Sequence, residues 1–502
     1  MDTIVRNYLE RFGVQEATTR FLNKPQKMYI GGAWVTGGAG ETLDVIEPST
    51  TGVITQIPLA TAEDLDRAVR AARTQFDGGP WRKLKPLERE RLLHRLADLI
   101  EANATEIAEI ESIDMGKSAA QARDVDVQGT IDTFRYFAGW ASKLHGRTVE
   151  PSLPGNYVAY TRKEPVGVVG IIVPWNFPLQ TMAWKLAAAL AVGCTAVIKP
   201  AELTSLSTLR FAELVQEAGI PEGVVNVVTG RGGVIGAALA RHPGIDKLTF
   251  TGSTDVGRNV GQAAVHDIRR VTLELGGKSP VLVLDDADVD AAARAVANGM
   301  FFNSGQVCDA GTRVYVQRKI HERFLAALID YTRTLKIAPG LDPDCFIGPL
   351  VSALQKERVT SYIDTGRREG AELVYGGRRR EDTGYFVEPA IFAHCSNSMK
   401  IVREEIFGPV LVTSPFDAID EAVQLANDSP YGLAAAIYSN DVNRIHTLVP
   451  QLRAGSVYVN AHSTIDPAMP FGGFKESGFG KDLGMEQLDH LTETKAVWIT
   501  LH

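Results

Sequence analysis

The chain has 502 residues, 45% hydrophobic and 22% charged, with 47 glycines; this is the balance of a folded globular protein with room for two or three domains, and it excludes a disordered or fibrous polymer. Its 52 Lys and Arg against 60 Asp and Glu leave a net charge of -8 with no long basic run, which argues against nucleic acid or an anionic membrane and for a small-molecule partner. The opening MDTIVRNYLERF lacks the basic stretch and apolar core of a secretory leader, and no apolar run reaches spanning length, so a cytoplasmic protein is expected.

Residues 28–60 alternate in strand fashion around Gly-Gly and EPSTTG turns, and a helix with Thr61 as its cap follows. A second helix is expected over 86–101. From 166 the pattern changes to short, β-branched apolar runs at 166–173, 194–199, 224–229, 247–251 and 270–275, with helical segments between them. Such alternation predicts a parallel sheet covered on both faces, with ligands beyond the carboxyl ends of its strands. A second α/β alternation begins with a strand in 279–288 and a helix from Val289, and includes a later strand at 455–460. The boundary falls at the Gly-Gly-Lys turn, 276–278. The tail 492–501 reads as one more strand, able to pair outside its own domain.

Of four cysteines, Cys194 reads as a small buried hydrophobe, and Cys345 and Cys395 carry no evident role. No C-x-x-C pair or histidine at ligand spacing accompanies them, so neither a disulfide nor a metal is expected. Cys308 differs, because FFNSGQVCDAGTR presents its sulfur between a glycine turn and an arginine. A thiol with an ordinary pKa near 8.5 is only a few per cent thiolate at neutral pH, so a nucleophile here requires surroundings that lower it.

Four other segments place polar groups that packing does not need. In PWNFP (174–178) two prolines restrict the backbone around Asn176, although its amide can equally close its own turn. In KPAE (199–202), Lys199 and Glu202 sit where a nucleotide ribose binds, and Glu202 would repel a 2′-phosphate, favouring NAD over NADP; a surface ion pair is the alternative. FTGSTDVG (250–257) is a glycine-rich turn at a helix start, suited to phosphate but lacking the P-loop lysine. In ELGGKSP (274–280), Glu274 interrupts a buried run; desolvation would raise its pKa toward that of a general base, unless main-chain amides satisfy it.

Taken together, PWNFP, KPAE, FTGSTDVG, ELGGKSP, NSGQVC, EEIFGP (404–409) and PFGGFKESG (470–478) closely resemble the aldehyde dehydrogenase superfamily, in its order, from about Tyr29 to the C-terminus. ESIDMGK (111–117) is a weaker marker. The resemblance implies an α/β fold of two Rossmann-like doubly wound parallel-sheet domains plus a small β oligomerisation element. It divides the chain into an NAD-binding domain (1–140 and 161–276), a catalytic domain (277–479) and an oligomerisation element (141–160 and 480–502), with dimers or tetramers expected. It implies Cys308 as nucleophile, Asn176 as oxyanion donor and Glu274 as the base that activates water. NAD contacts are implied at Pro174, Trp175, Lys199, Glu202, Phe250, Gly252, Ser253, Gly257, Leu275, Glu405 and Phe407.

Two positions depart from the family pattern. Asp309 follows the cysteine where a small or neutral residue is common, and is expected to point away from the sulfur. Asp482 replaces a usual glutamate, which puts any proton-relay role in doubt. For substrate, Phe177, Trp184, Phe302, His462, Ile465 and Phe471 match tunnel positions, and the 461–470 loop offers no Lys or Arg to hold a carboxylate. An uncharged aromatic or medium-chain aldehyde is expected, most similar to phenylacetaldehyde. A broad aliphatic or betaine-type aldehyde dehydrogenase, a CoA-acylating relative, a cysteine acyl hydrolase and a non-catalytic protein on the same fold are the alternatives.

Overall fold

The apolar runs between 166 and 275 fold as parallel strands because nearly every side chain along them is buried, on both faces of one sheet. The strands are β1 (Val168–Ile172), β2 (Thr195–Lys199), β3 (Val225–Val227), β4 (Lys247–Thr251) and β5 (Arg270–Glu274), in spatial order β3-β2-β1-β4-β5. Antiparallel strands extend both edges: Met28–Ile30, itself paired with Ala33–Val35, on β3, and the short Gly478–Phe479 on β5. The order reverses at β1, so the crevice for a ligand lies beyond the carboxyl ends of β1 and β4. The computed structural model describes residues 1–378, 380 and 383–502.

Helix α1 (Pro178–Val192) connects β1 to β2, with proline in its first turn and Gly193, at φ 100°, closing it. All fifteen of its residues are buried, so it runs inside the core rather than on its surface. Helices α2 (Leu206–Glu217) and α3 (Thr254–His266) follow β2 and β4. The expected helix after Thr61 runs Ala62–Asp77 with a reciprocal Thr61–Asp64 cap, and the next runs Pro86–Ala102. Two helices at the start of the chain, Thr3–Phe12 and Glu16–Asn23, pack Val5, Tyr8, Leu9, Phe21 and Leu22 onto the main core.

The second sheet is also doubly wound. It contains β6 (Pro280–Val283), followed by α4 (Val289–Phe301), then β7 (Arg313–Gln317), β8 (Glu372–Gly376), β9 (Ala390–Ala393), β10 (Val410–Phe416), β11 (Ala434–Tyr438) and β12 (Ser456–Val459). Their order is β8-β9-β10-β7-β6-β11-β12, and only the β8–β9 pairing is antiparallel. The strand expected over 279–288 stops at Val283, because Asp285 and Asp286 turn to take Arg444, Ser439 and the Asn440 amide instead of continuing the ladder. A third sheet pairs Thr492–Thr500 with Tyr157–Pro165 over nine residues, with Thr148–Val149 at its edge and Val158, Trp498 and Ile499 exposed on it. Among the described residues no helix is long and apolar enough to cross a membrane.

Candidate active site

The carboxyl ends of β1, β4 and β5 face the segment after α4 across a cavity of about 1040 Å³. Pro174, Trp175, Asn176, Phe177 and Trp184 reach it from the β1 side, Gly252 and Ser253 from β4, and Glu274 and Leu275 from β5. Phe302, Cys308, Glu405, Phe407, His462, Ile465 and Phe471 close it from the second sheet. Four of the expected residues lie outside this wall. Lys199 and Glu202 stand at the end of β2, bonded to each other at 2.8 Å; Phe250 and Gly257 pack against Gly252 and Leu275 behind the lining.

The cysteine segment is fixed before the sulfur is reached. Asn303 and Ser304 both take left-handed backbone angles (φ 47° and 57°), a conformation non-glycine residues hold only when their surroundings impose it. Ser304 Oγ donates to the Gly348 carbonyl at 2.7 Å, and the Gln306 amide both donates to Asn303 O and accepts from Val351 N. Asn176 Nδ2 donates to Gln306 O at 2.9 Å, which spends one of its two hydrogens and leaves the other. The main-chain N–H of Cys308 has no main-chain acceptor among the described residues. An Asn176 N–H and the Cys308 N–H are therefore both left without an acceptor among the described residues, on residues that line one cavity.

The expectation that the surroundings lower the thiol pKa is overturned. Burial, and then the charges of Asp309, Glu405 and Glu274, push the Cys308 thiol well above its ordinary value, against one favourable bond from the Asp309 amide. Asp309 is buried and its carboxylate accepts from the Tyr458 hydroxyl at 3.0 Å. That contact does not remove its field from the sulfur, so the expectation that it stands clear fails electrostatically.

Glu274, the last residue of β5, is buried with no side-chain donor on either carboxylate oxygen among the described residues; the Gly473 amide is a main-chain donor that favours its charge. Burial and the neighbouring Asp482 raise its pKa well above the carboxylate range, while Lys185 and Lys481 pull it back. Lys185 comes from the core helix α1 and is ion-paired with Asp482, which also accepts from Gln487 at 3.1 Å. The sequence reading missed Lys185. Its signal was present, since it is the only charged residue of α1 and a buried lysine persists only when paired.

At the cavity's other end Ser253 caps α3 by accepting from Val256 N at 3.4 Å, and the 252–255 turn lines the cavity with first-turn amides that no helix carbonyl can satisfy. Glu405 accepts from Gly277 N at 3.0 Å; burial pushes its pKa up to about 7. Phe407 (φ 62°) sets its ring edge-on to Trp175 with centroids 5.2 Å apart. Burial opposes the charge on Glu202, yet Lys199 beside it holds the carboxyl below its ordinary value, so Glu202 stays an acceptor for hydroxyl groups. These residues fit a dinucleotide: amides for its pyrophosphate, and carboxylates at both ends for its two riboses.

A doubly wound sheet offering phosphate-binding amides, with a thiol and a buried carboxylate lining the same cavity, fits a dinucleotide-linked oxidoreductase. A family model described as the aldehyde dehydrogenase family matches residues 34–497. The chain belongs to the aldehyde dehydrogenase family, and is an NAD-dependent aldehyde dehydrogenase. It is similar to the phenylacetaldehyde dehydrogenase of Pseudomonas fluorescens, 44% identical over 95% of this chain and 96% of that one. Among solved structures, an aldehyde dehydrogenase from Bacillus cereus in complex with NAD+ is 45% identical, with a TM-score of 0.96 over 97% of this chain and 99% of that one. The indole-3-acetaldehyde dehydrogenase AldA of P. syringae is 42% identical, with a TM-score of 0.94 over 97% and 99%.

Proposed function

We propose that this chain oxidises an uncharged aldehyde, aromatic or medium-chain aliphatic, to its carboxylic acid, with a phenylacetaldehyde-like substrate preferred. One observation carries this: the substrate end of the cavity is walled by rings and contains no free cation among its lining residues. Phe177 stacks on Phe302 (centroids 6.2 Å apart, planes within 12°), and Trp184 leans on Phe471 at 5.3 Å. Both arginines of the cavity are engaged elsewhere, Arg258 with Asp255 and Glu476, and Arg358 with the Glu405 and Ile406 carbonyls. The Pseudomonas fluorescens relative's substrate agrees with this reading.

In this reading Cys308 gives its S–H proton to solvent water as Sγ attacks the carbonyl carbon. The C–S bond forms, and the negative oxygen is received by the spare Asn176 Nδ2–H and the Cys308 N–H. When bound, NAD+ supplies the hydride acceptor that turns the thiohemiacetal into a thioester. Glu274 then takes a proton from water as that water's oxygen attacks the thioester carbon, and the breaking C–S bond returns the sulfur. Lys199 and Glu202 hold the adenosine ribose, and Glu405 the nicotinamide ribose.

Comparing kcat/KM for phenylacetaldehyde, hexanal and succinic semialdehyde tests the substrate. The two uncharged aldehydes are expected to lead by about 10-fold or more, the scale of one missing charge-assisted bond. A preference for the semialdehyde refutes the uncharged pocket.

Glu202 sets a second expectation. A 2′-phosphate brought within about 4 Å of its carboxylate meets about 4 kcal/mol of repulsion at an effective dielectric of about 20, reduced by Lys199 alongside. NADP is expected to be used about 100-fold less efficiently than NAD, with Glu202→Gln narrowing the gap; equal efficiencies in the wild type would remove Glu202 from the ribose site.

A further inference from the structure

His462, in the loop after β12, is a polar group at the aromatic end of the cavity. Its ring is wedged against two glycines: a Cβ at Gly299 in α4 would lie 2.6 Å from its Cδ2, and one at Gly311 2.8 Å from its Cε1. Any larger residue at either position would displace the imidazole, so its place is fixed by close backbone approach. Nε2 lies 3.1 Å from the Asp309 carbonyl, and a ring nitrogen facing a carbonyl must donate, so the proton sits on Nε2. Burial lowers the pKa of His462, which keeps the ring neutral. Nδ1 is left with a lone pair. Among the described residues no donor reaches it, and His462 lines the cavity.

We propose that Nδ1 of His462 accepts a hydrogen bond from the substrate, selecting aromatic aldehydes whose ring carries a donor, either a phenolic hydroxyl or a ring N–H. This rests on the aromatic reading above and narrows it. The acceptor is neutral, fixed and one hydrogen bond from the residue after the nucleophile, whereas Phe177 and Phe302 supply flat apolar walls without polar atoms. A substrate with a donor satisfies Nδ1, and one without leaves an acceptor unpaired in an apolar pocket.

The test measures kcat/KM for phenylacetaldehyde, its 3-hydroxy, 4-hydroxy and 4-fluoro derivatives, and indole-3-acetaldehyde, in the wild type and in the His462→Phe and His462→Asn proteins. In the wild type, at least one donor-bearing substrate is expected to exceed phenylacetaldehyde by about 3- to 10-fold, with the fluoro compound giving no gain. The hydroxy and indole arms tell an O–H from an N–H. His462→Phe, which keeps a flat ring between the glycines, should bring that ratio to about one whatever its absolute rate. His462→Asn, whose amide oxygen falls near the place of Nδ1, should keep it. A wild-type ratio near one with phenylacetaldehyde turned over, or a ratio that survives His462→Phe, overturns the hook alone. If no aromatic aldehyde is turned over, the hook and the aromatic reading fall together. Should His462→Phe not fold, the wild-type hydroxy-to-fluoro comparison decides.

Discussion

Cys308→Ala is expected to lower aldehyde oxidation by about 10⁴-fold or more while NAD+ binding stays as in the wild type. Removing a covalent nucleophile takes away the whole acyl-transfer route, and 10⁴-fold corresponds to about 5.5 kcal/mol of transition-state stabilisation. The residues proposed to hold the dinucleotide lie elsewhere, on the β4–α3 turn, at the end of β2 and at Glu405, so truncating the thiol leaves them in place. Absorbance of NADH gives the first readout. The second is the rise in unfolding temperature with added NAD+, because a ligand at 100 times its Kd stabilises the folded state by about 2.7 kcal/mol and should do so equally in both proteins. Turnover within about 10-fold of the wild type would mean that another group attacks the carbonyl. The thiol's surroundings sharpen the same experiment. With burial and three carboxylates opposing its ionisation, alkylation of the NAD-free wild-type protein by iodoacetamide should keep rising past about pH 9, with no plateau in the ordinary thiol range.

That electrostatic setting also shows where a sequence stops being informative. The doubly wound sheets were legible because strands buried on both faces must be continuously apolar, and 166–173 or 194–199 admit no other period. The site segments were legible for a related reason: Asn176, Glu274 and Ser253 are polar groups at strand ends, where the parallel topology has a crevice to fill. What the thiol feels was not legible, since it depends on which charges lie nearby in space. Glu405 is distant in sequence, and no pattern places it across the cavity from Cys308. Asp309 was visible, but whether it faced the sulfur depended on Tyr458 in β12. Lys185 is the instructive omission. A long apolar helix invites its single lysine to be read as incidental, whereas burial makes that lysine the most informative residue in α1, because something must neutralise it and Asp482 does. Asp482, doubted on sequence as a shortened relay residue, is therefore an active part of the field at Glu274.

Glu274→Gln is expected to give a burst of NADH close to one equivalent per active site and then stall, with steady-state turnover down by about 10²- to 10⁴-fold, the usual span of general-base catalysis. The substitution keeps the side chain's shape and breaks no side-chain hydrogen bond among the described residues, and a glutamine oxygen can still accept from the Gly473 amide. Attack by Cys308 and loss of hydride precede the need for water activation, so they proceed and the protein accumulates as its thioester. The pH dependence separates this from a general loss of activity. Burial and Asp482 raise the pKa of Glu274, so the carboxylate is protonated, and useless as a base, below that raised value. Wild-type deacylation must therefore fall as pH drops into a range where an ordinary glutamate would still be ionised, and Glu274→Gln must lose that limb while retaining the pH dependence of the burst. Lys185 and Lys481 work in the opposite direction and limit that rise. Rapid-mixing measurement of burst amplitude and steady-state rate across pH reads both effects in one experiment. Normal multiple turnover by Glu274→Gln, or an unchanged acid limb, would transfer the role of base to another group in the cavity.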